Sequence, residues 1–235
     1  MLKALLEPDV DGPSTPLALA GWLPAWDIER RVANLDEVVV WTCARLREWG
    51  VGVDDLSAIR VDAVRARELA QRLTQASIAP ALRAPLHAAL RAMLPELPWE
   101  HVLVQTYAHF RILCPGDHAS PVPAHVDHGF GHALDERNLW LALTDATGDA
   151  ALHLCDLRES LRRLVQSGAL AGVVYEPGEL WPVDVRRGDA LLFTPLHLHA
   201  ARAPIDTTRV SIDLRIVPAL ANQVGPSFSP LWRHR

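Results

Sequence analysis

The apolar positions of the first hundred residues recur every three or four places along the chain. In the stretch NLDEVVVWTCARLREWG this period runs from Leu35 to Trp49 and stops at Gly50. Such a stripe is typical of an amphipathic α-helix, and glycine commonly follows the last residue of a helix. The pattern predicts three helices: one over about 30–49, one over about 62–77 behind Asp62, and one that begins at Pro85.

In the second half the pattern changes to short runs rich in Val, Leu, Thr and aromatic residues, separated by Gly, Pro and Asp. The clearest run is TRVSIDLRIV at 207–216, where apolar and polar residues alternate strictly, as in a strand with two different faces. Its polar face carries Arg209, Ser211, Asp213 and Arg215, of which Asp213 and Arg215 most simply form a cross-strand or same-face salt bridge. The other predicted strands lie at 101–107, 110–114, 138–144, 151–154, 181–184 and 189–194, with one helix between them at about 156–167.

Many short strands with this punctuation are typical of β-sandwiches and barrels. We found no internal repeat, low-complexity tract or linker that would divide the chain. We therefore expect residues 1–235 to form a single domain, which is mainly β with flanking helices. The β core is expected over about 98–217, and the mainly helical flank of about 1–97 is expected to pack outside it.

Composition and charge exclude several classes of function. The chain has 235 residues, of which 49% are hydrophobic, and its formal net charge is −5. Its arginines form no basic block, so nucleic acid is not an expected partner. No apolar run approaches the roughly 20 residues that span a bilayer, and no secretion signal is evident, so a cytoplasmic protein is expected. The three cysteines are far apart and lack C-x-x-C spacing, which favours buried thiols over disulfides or a thiolate zinc site.

Candidate metal chemistry lies in the stretch PVPAHVDHGFGH at 121–132. Residues two apart on an extended segment point to the same side, so His125 and Asp127 can both reach one metal ion. Taken alone, such a pair is more often a surface hydrogen bond than a ligand set. However, His197 and His199 end an apolar strand downstream, and two imidazoles with one carboxylate form the facial triad of non-haem Fe(II) oxygenases.

The segment from about 103 to 217 resembles the Fe(II)/2-oxoglutarate-dependent oxygenases, in particular the phytanoyl-CoA dioxygenase-like branch and its antibiotic-biosynthesis hydroxylase relatives. HVD at 125–127 matches the H-x-D motif of that superfamily, and FTPLHLHA resembles its F-x-P-L-x-x-H-G pattern. NLWLALTDATGDAALHL resembles its central strand and turn. The resemblance covers about half of the chain and implies a double-stranded β-helix, which is a jelly roll of the cupin-like kind.

The same resemblance implies the cofactors and the residues that hold them. Fe(II) would be bound by His125, Asp127 and His199, and the 5-carboxylate of 2-oxoglutarate would pair with Arg209. A guanidinium offers bidentate, charge-assisted hydrogen bonds to a carboxylate, and Ser211 on the same strand face can donate another. Ascorbate is a candidate reductant.

Two departures from the family pattern bear on the distal ligand. Arg209 follows His199 by ten positions, where related sequences often have eleven, and Ala200 replaces the usual glycine. The choice between His197 and His199 therefore stays open. Six further residues are candidates for supporting the ligands or touching substrate, and each has an alternative reading as ordinary packing or surface polarity: Tyr107, Arg111, His128, His132, Trp140 and His197.

The implied activity is hydroxylation of an unactivated C–H bond in a small metabolite, with molecular oxygen as the other partner, in specialised biosynthesis. Related halogenases replace the ligand carboxylate by a small residue, whereas Asp127 is retained, which favours hydroxylation. Two alternatives remain: a cupin-like metalloenzyme that works without 2-oxoglutarate, as a dioxygenase or isomerase, and a non-catalytic, oxygenase-shaped binding protein. Arg209 and Ser211 favour the first reading over the cupin-like one, because an anion clamp has no purpose without a dicarboxylate. Neither the substrate nor the oligomeric state can be read from the sequence.

Overall fold

The computed structural model describes residues 28–116, 122–167, 180–218 and 228–230. In these ranges the helices are α1 (Asp36–Glu48), α2 (Ala63–Ala76), α3 (Pro80–Met93) and α4 (Leu157–Ser167). The strands are β1 (Glu29–Val32), β2 (Val102–Gln105), β3 (His109–Leu113), β4 (Val122–His125), β5 (Arg137–Ala142), β6 (Leu152–Leu154), β7 (Trp181–Val183), β8 (Asp189–Phe193), β9 (His199–Ala201), β10 (Arg209–Pro218) and β11 (Phe228–Pro230). Across the described part of the chain, no helix has the length and apolarity to cross a membrane.

The described strands form two antiparallel sheets. The first has the order β1-β8-β5-β10-β2-β11, with β3 also paired with β10, and the second has the order β4-β9-β6-β7. Between β3 and β10 the chain passes back and forth between the two sheets, so β3, β5, β8 and β10 belong to the first and β4, β6, β7 and β9 to the second. The prediction of a mainly β chain with flanking helices is confirmed, and the architecture is consistent with a cupin-like fold.

Strand β10 separates the apolar core from the interior between the sheets. Its apolar residues Val210, Ile212, Leu214 and Ile216 are buried in one cluster with residues of α1, α2 and α3, including Leu46, Leu69 and Leu90. Burial of these side chains against the helices is the main favourable contribution to packing on this face. The alternating polar residues of β10 therefore point to the opposite side, towards the second sheet.

The helical predictions hold in part. Helix α2 begins as expected, because the Asp62 side chain accepts a hydrogen bond from the backbone N–H of Arg65 at 2.8 Å. Helix α1 begins only at Asp36, so the predicted start near residue 30 is wrong: β1 occupies that stretch and pairs with β8. A polar strand of four residues is too short to show an alternating pattern in the sequence. Its position is determined by its pairing with β8.

Helix α3 begins at Pro80 and not at Pro85, so that predicted boundary is also wrong. Pro80 occupies the first turn, where its missing N–H costs nothing. Pro85 lies inside the helix, where it removes one intrahelical hydrogen bond, and the buried residues Leu82, Leu86 and Leu90 pack the same face on either side of it. Tertiary packing thus overrides the local signal of the second proline.

All of the strands predicted from the sequence are present, and so is helix α4, with ends that differ by at most two residues. Strands β1, β4, β9 and β11 are absent from the sequence prediction. Each has only three or four residues, too few to show an alternating pattern. The three cysteines are buried and free, as expected. Residues 1–27 of the predicted helical flank lie outside the described residues, and the single-domain organisation stays a prediction.

Candidate metal centre

A cavity that is partly open to solvent lies between the two sheets. Both sheets contribute to its wall: Asn138 and Arg209 come from the first sheet, and His125 and His199 come from the second. The apolar parts of the wall include Trp140, Leu152 and Phe193. A concave, largely apolar cavity with a few convergent polar groups is the usual form of a small-molecule site.

Three potential metal ligands converge in this cavity. His125 ends β4 and lies directly opposite His199, the first residue of β9, in the antiparallel pairing of the two strands. Their ring centroids are 4.2 Å apart. Asp127 opens the short 3₁₀ helix Asp127–Phe130, and its Oδ1 lies 3.4 Å from His125 Nε2 and 3.9 Å from His199 Nε2. The three ligand atoms lie within 4.8 Å of one another, which is close enough to share one ion.

The tautomer of both imidazoles is set by the backbone. The Nδ1 of His125 lies 2.8 Å from the carbonyl oxygen of Pro123, and that of His199 lies 2.9 Å from the carbonyl oxygen of His197. A carbonyl oxygen only accepts, so each Nδ1 carries the proton and donates it. The lone pair of each Nε2 is therefore free and faces Asp127, as metal ligation requires.

The second carboxylate oxygen of Asp127 is held by one hydrogen bond and one ion pair. Asn138 Nδ2 donates to Oδ2 at 2.7 Å, and Arg215 Nη2 lies 3.2 Å from the same oxygen. Burial alone would raise the pKa of Asp127, but His125, His199 and Arg215 outweigh it and hold the pKa well below its usual range. The side chain is thus ionised, with Oδ1 turned towards the imidazoles and Oδ2 engaged elsewhere.

Burial decides the protonation state of the distal histidine. It lowers the pKa of His199 to about 4, although the neighbouring Asp127 acts in the opposite direction. The imidazole is therefore neutral at physiological pH, and a neutral imidazole is the form that binds metals.

Farther along the same polar strand face, Arg209 is fully buried, and no carboxylate of the described residues forms an ion pair with it. Its Nη1 donates to the carbonyl oxygens of Ala150 and Ala151, at 3.2 and 3.3 Å. Within the described residues, its Nε and Nη2 and the Oγ of the buried Ser211 have no hydrogen-bond partner. Burial lowers the pKa of Arg209 to about 10, so the guanidinium remains charged at neutral pH. Buried charges are normally paired, so this arrangement fits an anion that completes the site.

Arg111 also lines the cavity, and it forms an ion pair with Asp213 across the β3–β10 pairing. Of the two predicted alternatives, Asp213 forms the cross-strand salt bridge, and the same-face pair with Arg215 is wrong. Each residue finds its partner on another element, Asp213 on β3 and Arg215 at Asp127. Residues two apart on a strand share a face, but cross-strand neighbours are closer than residues two places along.

The remaining candidates take different places. Trp140 lines the cavity, with its ring 5.6 Å from the guanidinium of Arg209. The Nδ1 of His128 lies 2.7 Å from the carbonyl oxygen of His132, and the Nδ1 of His132 lies 2.9 Å from Glu136. These two histidines brace the loop after Asp127, and neither lines the cavity.

Tyr107 and His197 also lie apart from the cluster. Tyr107 is 42% exposed and does not line the cavity. His197 is fully buried, its Nδ1 accepts from the backbone N–H of Thr194 at 3.0 Å, and burial lowers its pKa to about 4. Of the two distal histidines, the geometry therefore brings His199 to His125 and Asp127.

Sequence reasoning missed the second layer of this centre. The sequence places Asn138 in the central strand without a role, and it predicts a salt bridge for Arg215 but not one with Asp127. Glu136, which is buried and lies 3.9 Å from Arg215, carries no signal in the sequence. The strict alternation of β10 placed Arg215 on the same face as Arg209, and this was the available signal for its role.

Comparison with known proteins shows a shared fold. No family model matches the chain, and no curated protein matches it. The structure of EvdO2 from Micromonospora carbonacea var. aurantiaca complexed with 2-oxoglutarate is 16% identical, with a TM-score of 0.51 over 88% of this chain and 92% of that one. EvdO2 solved without that ligand gives 16% identity and a TM-score of 0.51 over 92% and 96%. The non-heme alpha-ketoglutarate-dependent epimerase SnoN from nogalamycin biosynthesis gives 18% identity and a TM-score of 0.49 over 87% and 85%.

Proposed function

We propose that this chain is an Fe(II)/2-oxoglutarate-dependent oxygenase that acts on a small molecule. The observation that carries the proposal is the cationic end of the cavity. Arg209 is fully buried and holds two unpartnered nitrogens beside the unpartnered hydroxyl of Ser211, in the same cavity as the His/Asp/His cluster. A dicarboxylate that binds a metal at one end and a guanidinium at the other satisfies both features.

We also propose that the two sheets form a double-stranded β-helix. The alternation of consecutive strands between the sheets, and the location of the cavity between them, support this assignment. The shared fold with EvdO2 supports it further, and that protein was crystallised with 2-oxoglutarate.

The donor set fits ferrous iron. Two imidazole nitrogens and one carboxylate oxygen, without a thiolate, form the facial triad that leaves three coordination positions open. His125, Asp127 and His199 would hold the ion, and Arg209 with Ser211 would hold the far carboxylate of 2-oxoglutarate. When bound, the metal and 2-oxoglutarate supply the oxidising power, because oxygen converts 2-oxoglutarate to succinate and carbon dioxide while the substrate is oxidised.

The residues of the chain then have three tasks. Asn138 and Arg215 keep Oδ2 of Asp127 engaged, so that one carboxylate oxygen is offered to the metal. Arg209 orients the cosubstrate through its fixed guanidinium plane. The apolar walls formed by Trp140 and Phe193 limit the access of water to the reacting groups.

The specific reaction we propose is hydroxylation of an unactivated C–H bond. Asp127 supports this choice, because its carboxylate occupies the position that halogenases leave to chloride. We expect the enzyme to be cytoplasmic, to use a small metabolite and molecular oxygen, and to need neither nucleic acid nor membrane. Ascorbate remains a candidate reductant.

The test is anaerobic addition of Fe(II) and 2-oxoglutarate to the protein while the visible spectrum is recorded. A metal-to-ligand charge-transfer band is expected, since a ferrous ion chelated by a 2-oxo acid absorbs visible light. Asp127→Ala should abolish the band, and Arg209→Ala should shift its appearance to higher 2-oxoglutarate concentrations. Arg187→Gln is the matched control, because it removes an arginine whose partner is the exposed Asp36.

Two results would contradict the proposal in different ways. Folded protein that binds iron but gives no band at any 2-oxoglutarate concentration points to the cupin-like alternative. Folded protein that binds neither ligand points to a non-catalytic role. If Arg209→Ala leaves the 2-oxoglutarate requirement unchanged, the cosubstrate clamp has been assigned to the wrong arginine.

A further inference from the structure

A third arginine of the cavity, Arg111, has no role in the function proposed above. It lies on β3 directly opposite Ser211 of β10, and among the described strands β3 pairs only with β10. Arg111 is therefore on the edge of the first sheet, where the cavity meets solvent. Its side chain is 42% exposed, whereas Arg209 and Ser211 are fully buried. The cavity thus has one guanidinium at its floor and another at its rim.

The terminal nitrogens of the Arg111 side chain are available to a ligand. Its Nε donates to Oδ2 of Asp213, and this is its one hydrogen-bond partner among the described residues. The two terminal nitrogens of a guanidinium carry four further N–H donors in a planar fork that matches a carboxylate. Asp213 accepts from the Nε side of the Arg111 guanidinium, and the side formed by the two terminal nitrogens can bind a ligand.

The surroundings of Arg111 keep it charged and close to the reacting centre. The pKa of Arg111 is raised, chiefly by Asp213, with a smaller contribution from Asp127 of the metal cluster. Arg209 lies near enough to feel its charge. Arg111 also lines the same cavity as the metal ligands and the cosubstrate clamp, so a molecule bound by Arg111 lies in that cavity with them.

The wall between these polar points is apolar. Leu139, Trp140, Leu152, Phe193 and Leu214 line the same cavity. Apolar walls favour a ligand with a hydrophobic body, and a single charged residue at the rim fixes its orientation. The two features together describe an organic acid with one anionic group and an apolar remainder.

We propose that Arg111 binds a carboxylate of the substrate, and that the substrate of this enzyme is therefore a small organic acid with an apolar body. This inference rests on the proposed oxygenase function, and it deepens that function by naming the substrate class. The same guanidinium chemistry also suits a carboxylate of 2-oxoglutarate, so the experiment must separate the two sources. The depth of Arg209 and Ser211 assigns the cosubstrate to the floor of the cavity and leaves the rim to the substrate.

The experiment uses phenylacetate as an anionic probe and phenylacetamide as its neutral counterpart. Each is titrated by calorimetry into the full chain with Fe(II) and saturating 2-oxoglutarate, in the absence of oxygen. We expect phenylacetate to bind at one site. Phenylacetamide should bind with an affinity lower by about tenfold or more, because a charge-assisted hydrogen bond is lost. Equal affinities would overturn the proposal.

Two variants of opposite expected sign separate binding from packing. Arg111→Gln should weaken phenylacetate about tenfold or more, while its effect on the affinity for 2-oxoglutarate stays below about twofold. Asp213→Asn should tighten phenylacetate, because Arg111 is released from a competing carboxylate and the rim gains positive charge. Arg187→Gln should change neither ligand. Weakening by both cavity variants would show a packing effect and would overturn the proposal.

The sources of the carboxylate are distinguished by the 2-oxoglutarate titration. If Arg111→Gln weakens 2-oxoglutarate as much as phenylacetate, Arg111 serves the cosubstrate and the substrate assignment is wrong. If the wild-type chain binds no 2-oxoglutarate at all, the oxygenase proposal itself fails. Phenylacetate titrated into an Arg209→Ala variant without metal or 2-oxoglutarate then still reports on Arg111, because the deeper guanidinium has been removed.

Discussion

Replacement of Asn138 by alanine tests whether the engaged oxygen of Asp127 matters to the metal. The substitution removes the hydrogen bond of 2.7 Å from Asn138 Nδ2 to Asp127 Oδ2. Arg215, at 3.2 Å, is then the sole remaining partner of that oxygen among the described residues. With one support gone, the carboxylate can rotate away from the position that offers Oδ1 to the ion.

The size of the effect follows from what changes on metal binding. A hydrogen bond to a charged group contributes about 1.5–3 kcal/mol, but Asp127 is ionised both with and without metal, so only part of this is lost from metal affinity. Removal of outer partners of metal ligands typically costs about 10–100-fold in affinity. Since Arg215 still holds Oδ2, we expect the lower end, about tenfold, which corresponds to about 1.4 kcal/mol.

The assay is calorimetric titration of Fe(II) into the metal-free protein without oxygen. Asn34→Ala is the matched control, because Asn34 is exposed and its one hydrogen bond among the described residues is accepted from the backbone N–H of Asp36. Arg215→Gln and the double variant complete a cycle. Since the Asn138 hydrogen bond or the Arg215 ion pair alone can hold Oδ2, the double variant should lose more affinity than the two single losses combined. A folded Asn138→Ala protein with unchanged Fe(II) affinity would refute the idea that a held Asp127 is a ligand.

Three further outcomes are expected. Burial lowers the pKa of both His197 and His199 from 6.5 to about 4, so between these pH values the unfolded chain binds protons that the folded chain does not, and stability is lost as the pH falls. In urea unfolding of the metal-free protein at stepped pH, His197→Gln should reduce this slope by about 1.4 kcal/mol per pH unit, and an unchanged slope would contradict the assignment. Ser211→Ala should weaken 2-oxoglutarate about threefold to tenfold, by loss of one donor to a charged group, and leave Fe(II) binding alone unchanged; charge-transfer titration would show a contrary result as an unshifted curve. The three cysteines are buried, so alkylation of the native protein followed by mass spectrometry should label them far more slowly than alkylation in denaturant, and fast native labelling would refute their burial.

Periodicity revealed the long elements of this fold and failed for the short ones. Ten residues of strict alternation were enough to predict β10 and both of its faces. Helix α2 carried both a stripe and a capping aspartate, Asp62, and was correctly placed. Strand β1 has four residues and forms because it pairs with β8. That pairing depends on β8 and cannot be predicted from the residues of β1 alone. The start of α3 was misplaced because two prolines offered the same local signal and only packing distinguishes them.

The candidate site shows the same division between what a motif contains and what the fold adds. The H-x-D spacing and the distal pattern named the three converging side chains, since those residues are read from local sequence. The tautomers of His125 and His199 depend on carbonyl oxygens two residues before each ring, which only the backbone path reveals. The distal pattern points to His199 but leaves His197 open, and the pairing of β4 with β9 then places His199 opposite His125.

The charges around the cavity give a physical reason why the metal and the dicarboxylate belong together. Three arginines, Arg111, Arg209 and Arg215, lie in or beside it with three carboxylates, those of Asp127, Asp213 and Glu136. With the histidines neutral, the formal charges of these six side chains sum to zero. A divalent cation alone would leave the cavity with two uncompensated positive charges, and a dianion alone would leave it with two negative ones. Bound together, the cation and the dianion leave the net charge of the cavity unchanged, and uncompensated charge in such a region is costly. Each ligand therefore strengthens the binding of the other, and linkage requires the two effects to be equal.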